Sequence, residues 1–385
     1  MEFKLLQQVK VVTTDHLDQT LCEIMAATGY QRPLFVMDHF LTQVALVKEA
    51  EAALTAAGIE IAIFDQVVSD PSTAVVDAGV EAFEAHHADA IIAIGGGSSI
   101  DVARGINIVR TNGGRIKDYL EPSAVIKPCH GLIAVPTTSG TGSEMSNALV
   151  VTDEETQQKT AILADGAVSE YAVLNPDLLL SLPKSMTIAT GLDAFSHAAE
   201  GYLSNLASPV TDAICEKVMF LLYNYLPRAV NNGQDREARE RVMVAATLAG
   251  WMLNNAGTNV GHSIAHVLGS KYHIVHGEAV AYALPGVMAY VGPAMPHKVR
   301  EIGQILGAVY PENAPEAQTT LIAVRAYKAF RDQILGLHPF SDYKLSSAEL
   351  SSNAEAVAHE RFAGNTPREV TVAGAQSLLA TFGEQ

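Results

Sequence analysis

Four of the chain's 13 histidines fall between positions 262 and 276, in the run GHSIAHVLGSKYHIVHG at 261–277. His262 and His266 stand four apart, which puts both imidazoles on one face of a helix. Upstream, GLDAFSHAAEGY at 191–202 repeats that spacing with a carboxylate and an imidazole, Asp193 and His197. Two helices presenting such pairs can converge on one divalent cation, and imidazoles with a carboxylate suit iron, zinc or a similar ion. A lone pair of this kind is more often surface or core histidine. The repetition is what points to a metal.

A second kind of chemistry is written in glycines. The run GGGSSID at 95–101 follows the strand-like Ala90-Ile91-Ile92-Ala93-Ile94 and leads into a helical segment expected to begin near Val102. Backbone N–H groups bared by glycine, aimed from a helix start, can cradle a pyrophosphate. The run does not fit GxGxxG, because Ile100 stands where the third glycine belongs. A second loop, PTTSGTGSE at 136–144, also follows a strand and carries hydroxyls suited to phosphate or ribose, or to an ordinary helix cap. Ligands of open α/β sheets sit at the carboxyl ends of strands, so two such loops favour a nucleotide. Asp38 follows another strand. It is placed either to accept from an adenosine ribose, which selects NAD over NADP, or to cap a helix.

The elements that must carry these groups alternate in the first half. Strands are expected at Pro33–Met37, Ile59–Phe64, Ala90–Ile94 and Leu132–Val135, with helices near Leu46–Ala57 and Thr73–His86. Alternation of this sort implies a parallel, doubly wound sheet in an α/β domain. After about Pro183, alanine- and leucine-rich helical periodicity takes over, so the second domain should be all-α. The expected division is 1–183 and 184–385. Asp235–Arg241 reads as a solvated helix face. Ala279–Pro296, interrupted by Pro285, Gly286, Gly292 and Pro293, reads as buried helix ends and a turn rather than a membrane span.

Composition narrows the function further. A length of 385 residues exceeds what one core usually fills, and 48% hydrophobic against 17% charged residues describes a compact globular protein. A formal net charge of −17 repels phosphate backbones and anionic lipid, so nucleic acid and membrane are not expected partners. An anionic ligand must then be held locally. Cys22, Cys129 and Cys215 are too few and too scattered for a disulfide framework, and no secretory signal is visible, so a cytoplasmic protein is expected.

Taken together and in this order, the two loops, Asp38 and the histidine runs resemble the iron-containing (group III) alcohol dehydrogenases across nearly the whole chain. The resemblance implies an α/β NAD-binding domain and an all-helical metal-binding domain, an architecture shared with dehydroquinate synthase. It implies Asp193, His197, His262 and His276 as metal ligands, with His266 beside them as the catalytic residue, in proton relay or in positioning the nicotinamide. Gly96, Gly97, Ser98 and Asp101 would hold the pyrophosphate and the nicotinamide end, with Thr137, Thr138, Thr141, Lys159, Leu178 and Leu182 lining the same cofactor. His273 is expected as a buried structural or supporting histidine. Thr366-Pro367-Arg368 replaces the family's Asn-Pro-Arg, while Leu253 and Phe362 differ from common family choices. All of these positions are expected to line the alcohol pocket.

The implied reaction moves hydride between NAD(H) and a small primary alcohol, diol or aldehyde. Four protein ligands would close a tetrahedral zinc site, which favours Fe2+ over Zn2+. A glycerol dehydrogenase-like zinc enzyme and a dehydroquinate synthase-like lyase are the alternatives. The family also implies a homodimer or a larger assembly of dimers.

Overall fold

The computed structural model describes residues 3–121, 123–156 and 159–384. They divide into two compact units: Gln7–Thr138 with Gly142–Ser181, and the chain from Leu182 onward with Ser139–Thr141 and the residues leading up to Leu6.

The first unit alternates strand and helix. Strands β1 (Lys10–Thr13), β2 (Pro33–Val36), β3 (Ala62–Phe64), β4 (Ala90–Gly95) and β5 (Leu132–Pro136) come with helices α1 (Leu17–Thr28), α2 (Ala45–Ala56), α3 (Thr73–Ala85) and α4 (Gly97–Asn112). An antiparallel hairpin, β6 (Ala148–Thr152) and β7 (Lys159–Leu163), precedes β8 (Tyr171–Leu174). The main sheet is parallel throughout, in the order β1-β8-β5-β4-β2-β3. This is the doubly wound sheet expected from the alternation. β4 is buried along its whole length because apolar clusters cover both its faces, which is why it reads as an unbroken apolar run.

Three local features refine the expected elements. β3 begins at Ala62 rather than Ile59, because Gly58 turns left-handed (φ 83°) at the end of α2 and the Ile59 N–H bonds back to Leu54 O. That helix-ending motif claims Ile59 for the core. α4 begins at Gly97, not near Val102, so most of GGGSSID is the first turn of the helix itself. The second glycine-bearing loop leads into the β6–β7 hairpin, so it does not cap a helix.

The second unit is helical: α5 (Lys184–Tyr202), α6 (Pro209–Asn231), α7 (Arg236–Ala256), α8 (Val260–Tyr272), α9 (His276–Val291), α10 (Pro296–Ile305) and α11 (Glu316–Lys328), then α12 (Ser347–Ser351), α13 (Ala354–His359) and α14 (Val372–Ala380). Contrary to expectation, Pro285 does not interrupt α9. Proline has no N–H for the carbonyl four residues back, that of Ala281. Here Arg331 Nη1 (3.1 Å) and the Tyr327 hydroxyl (3.4 Å) donate to that oxygen instead. The expected solvated face at Asp235–Arg241 is also incorrect at Arg239, which is buried. It reaches under the helix to Gly233 O, Leu182 O and Thr187 Oγ1. No described helix is long and apolar enough to cross a membrane.

Candidate active site

α5 carries Asp193, His197 and Glu200 at i, i+4 and i+7, all buried. α8 carries His262 and His266, and α9 opens on His276. Two glycines let these helices approach. A Cβ on Gly277 would lie 2.1 Å from the backbone oxygen of Ala189, and one on Gly261 would lie 2.4 Å from Glu200 Oε1. Substitution at Gly277 must therefore push α9 off α5.

The approach brings one ligand atom from each of Asp193, His197, His262 and His276 within 4.8 Å of one another. Asp193 Oδ1 lies 3.6 Å from His197 Nε2, 3.6 Å from His276 Nε2 and 3.9 Å from His262 Nε2. Asp193 Oδ1 and His262 Nε2 are buried with no hydrogen-bond partner, as is the other ring nitrogen of His197. Buried polar atoms are rarely left unsatisfied. A divalent cation at the meeting point satisfies the carboxylate oxygen and His262 Nε2 together, so the donor set fits a metal of the iron or zinc kind.

Supporting carboxylates orient two of the imidazoles. Glu200 Oε1 faces His262 Nδ1 at 2.8 Å, while its Oε2 accepts the N–H groups of Asn259 (2.9 Å) and His262 (3.1 Å) at the start of α8. Nδ1 is thereby occupied and Nε2 is left for a ligand. Glu360 meets His266 Nδ1 at 3.0 Å and also accepts from Ser263 and the Phe362 N–H. Burial pushes Asp193 up and Glu200 up to about 8, and holds His262 well below its ordinary value. Burial disfavours charge on each of these groups, and a divalent cation restores it to the carboxylates. Burial also works against the Glu360 carboxylate, but its contacts with His266, Ser263 and Phe362 outweigh it and lower the pKa.

Glu200, Ser263 and Glu360 were not foreseen. Glu200 left a signal, since it is a third polar residue on the face that carries Asp193 and His197. Glu360 left none, because its side-chain partners lie 94 and 97 residues away. His273 is corrected: it is exposed, and its left-handed backbone (φ 55°) ends α8 and turns the chain toward α9. Thr366 is buried and its Oγ1 accepts the Val260 N–H (3.2 Å), so it stitches the start of α8 rather than lining a pocket. The Phe362 ring meets His266 edge-on at 5.5 Å, and half-buried Leu253 packs against the helical core.

In the first unit, Gly95 pairs in register with Pro136, and the Thr137 N–H bonds Gly95 O at 2.9 Å. The two loops therefore lie side by side at the carboxyl ends of β4 and β5. A Cβ on Gly95 would strike Ser99 (2.2 Å to Oγ), and one on Gly96 would press on Thr138 (3.2 Å). Gly96, Gly97 and Ser98 are half-buried, at a helix start whose first N–H groups have no carbonyl within the helix.

The other expected cofactor residues have partners of their own. The Asp38 carboxylate caps the 3₁₀ turn at His39–Gln43, accepting the Leu41 N–H at 3.2 Å. Asp101 is buried, accepts the Val150 N–H (2.9 Å) and is pushed up to about 6 by burial. Lys159 pairs with Asp70. Leu178 is in the core beneath the sheet. Leu182 and Thr141 belong to the helical unit, and the Leu182 carbonyl accepts from Arg239 (3.0 Å). Fully buried Arg104, also unforeseen, donates to the carbonyls of Ser143, Ala148 and Ala167, tying the end of the second loop to α4.

Comparison with known proteins agrees with this geometry. Residues 9–176 match the model of the iron-containing alcohol dehydrogenases, and residues 187–382 match that of the family's C-terminal region. The chain is 39% identical over 301 residues to an NAD-dependent methanol dehydrogenase of Bacillus methanolicus, covering 78% of each chain. It is 32% identical over 356 residues to a lactaldehyde reductase of Escherichia coli, covering 92% of each. An alcohol dehydrogenase structure from Oenococcus oeni superposes with a TM-score of 0.92 at 29% identity, over 98% of both chains. The chain belongs to the iron-containing alcohol dehydrogenase family and is an oxidoreductase of the alcohol dehydrogenase class.

Proposed function

We propose that this enzyme interconverts a small primary alcohol or diol with its aldehyde, using NAD(H) and a divalent metal held by Asp193, His197, His262 and His276. The observation that carries the reading is the convergence of four ligand atoms within 4.8 Å, two of them buried and unsatisfied. When bound, the metal supplies a Lewis acid toward the alcohol oxygen and NAD+ supplies the hydride acceptor. Glu200 holds His262 with Nε2 turned to the ion. His266 takes the hydroxyl proton in oxidation and returns it in reduction. Phe362, edge-on against His266, limits the space beside that ring, in keeping with relatives named for methanol and lactaldehyde.

Gly96, Gly97, Ser98, Thr137 and Thr138 are the groups this reading relies on most for the cofactor. Asp101, Thr141, Lys159, Leu178 and Leu182 play lesser parts, and Asp38 disfavours a 2′-phosphate. The participation of His276 favours this scheme over a glycerol dehydrogenase-like zinc site with fewer histidines. Four protein ligands favour iron over zinc, since the ion must still accept substrate. Three unpaired cysteines suit a cytoplasmic enzyme, and a homodimer is the assembly proposed.

The test is metal content and NAD-dependent oxidation of short alcohols before chelation, after it, and after refilling with Fe2+ or Zn2+. Activity should vanish on chelation and return best with Fe2+. Activity indifferent to both treatments would dismiss a catalytic metal.

A further inference from the structure

Glu360 has one oxygen fixed and the other aimed. Oε2 accepts the Ser263 hydroxyl at 2.6 Å and the Phe362 N–H at 2.8 Å, while Oε1 faces His266 Nδ1 at 3.0 Å. Both side chains are mostly buried, with relative exposures of 21% for His266 and 18% for Glu360. A carboxylate only accepts hydrogen bonds, so in the neutral imidazole the Nδ1 facing it carries the hydrogen and Nε2 keeps the lone pair. The same three-residue segment, 360–362, sets Phe362 edge-on against the ring.

We infer that Glu360 is the positioning residue for His266, fixing both its tautomer and its orientation so that Nε2 exchanges the proton with the substrate. The inference rests on the reading of His266 as the proton carrier. In oxidation the O–H bond breaks and its proton joins the Nε2 lone pair; NAD+, when bound, would be the acceptor of the hydride. The ring keeps its Nδ1–H on Glu360 and later gives the Nε2 proton to water.

The geometry singles out Glu360→Gln. Two donors point at Oε2, so that position must be the amide oxygen. The amide NH2 then faces Nδ1 and forces the hydrogen onto Nε2, the wrong tautomer, with almost no change in shape. By analogy with other carboxylate-oriented histidines, kcat should fall about 100-fold or more while KM for the alcohol and metal content stay nearly unchanged. Glu360→Asp keeps an acceptor and should recover part of the loss.

The direct readout is ¹⁵N NMR of zinc-loaded enzyme with labelled histidine, with His266 identified by the signals missing in His266→Gln. The wild type should show Nδ1 protonated, and Glu360→Gln should show the reverse. An unchanged tautomer, or turnover within threefold of wild type, overturns the inference. If His266→Gln is inactive with its metal retained while Glu360→Gln stays active, only the Glu360 role is lost. If His266→Gln also turns over normally, the proton-carrier reading has failed first.

Discussion

The two candidate sites are built by opposite means. The loops after β4 and β5 depend on missing side chains: a Cβ on Gly95 would strike Ser99 and one on Gly96 would press on Thr138, and the groups proposed to meet the cofactor are largely backbone. The cluster on α5, α8 and α9 places side chains, and it leaves two of their ligand atoms buried and unsatisfied. A site that depends on missing side chains tolerates loss of any one side chain but not added bulk. A site made of side chains fails when one is removed. That contrast can be broken by mutation, and the effects should rank accordingly.

Removing a ligand is the most severe test. Asp193→Ala and His262→Ala should each abolish metal retention and lower kcat/KM by on the order of a thousandfold or more, as loss of a Lewis acid does. Metal analysis alongside kinetics checks this. Wild-type metal content in Asp193→Ala would remove that carboxylate from the ligand set.

Gly277→Ala tests the helical site by added bulk instead. The new Cβ meets a backbone oxygen, which cannot swing aside. α9 must shift and carry His276 with it. Metal affinity should fall about 100-fold, and the thermal midpoint should drop because overpacking costs roughly 1–3 kcal/mol. Full metal affinity at a reduced midpoint would mean that His276 is not a ligand.

Glu200→Gln is milder. It keeps the shape and an oxygen for the Asn259 and His262 N–H groups, but turns an amide donor toward His262 Nδ1. Loss of such a supporting partner typically costs about 10–100-fold in metal affinity. Competition with a chelator measures it, and an unchanged affinity would reduce Glu200 to a helix cap.

Sequence patterns carried the two sites unequally. The paired i, i+4 spacing pointed to Asp193, His197 and His262, with His266 beside them, because helical periodicity is local and these side chains project from adjacent turns; His276, on the next helix, came only from the family resemblance. The strand-loop order likewise placed both glycine loops, since β4 and β5 are continuous apolar runs. What escaped depends on partners far along the chain. Pro285 lies inside a helix where Arg331 and Tyr327, more than 40 residues later, satisfy Ala281 O. Arg239 is buried because Leu182 O and Thr187 await it. His273 was expected to be buried, yet it is exposed and supplies the left-handed turn that separates His266 from His276. Motif spacing shows which residues can meet. It does not show which neighbours satisfy them.

The loop site should respond most gently, and Asp38 shows why. Its carboxylate already accepts the Leu41 N–H, so part of its role is structural whatever cofactor binds. Asparagine keeps an oxygen for that cap and removes only the charge. If Asp38 repels a 2′-phosphate, Asp38→Asn should raise kcat/KM for NADP+ about tenfold and lower that for NAD+ a few-fold, with the thermal midpoint unchanged, as expected for one nearby charge. Alanine should give the same cofactor shift with an added stability loss of about 1 kcal/mol from the missing cap. A variant pair that differs in stability but leaves the cofactor ratio untouched would assign Asp38 to the turn alone. Discrimination between the two nucleotides would then have to reside in the backbone of the loops.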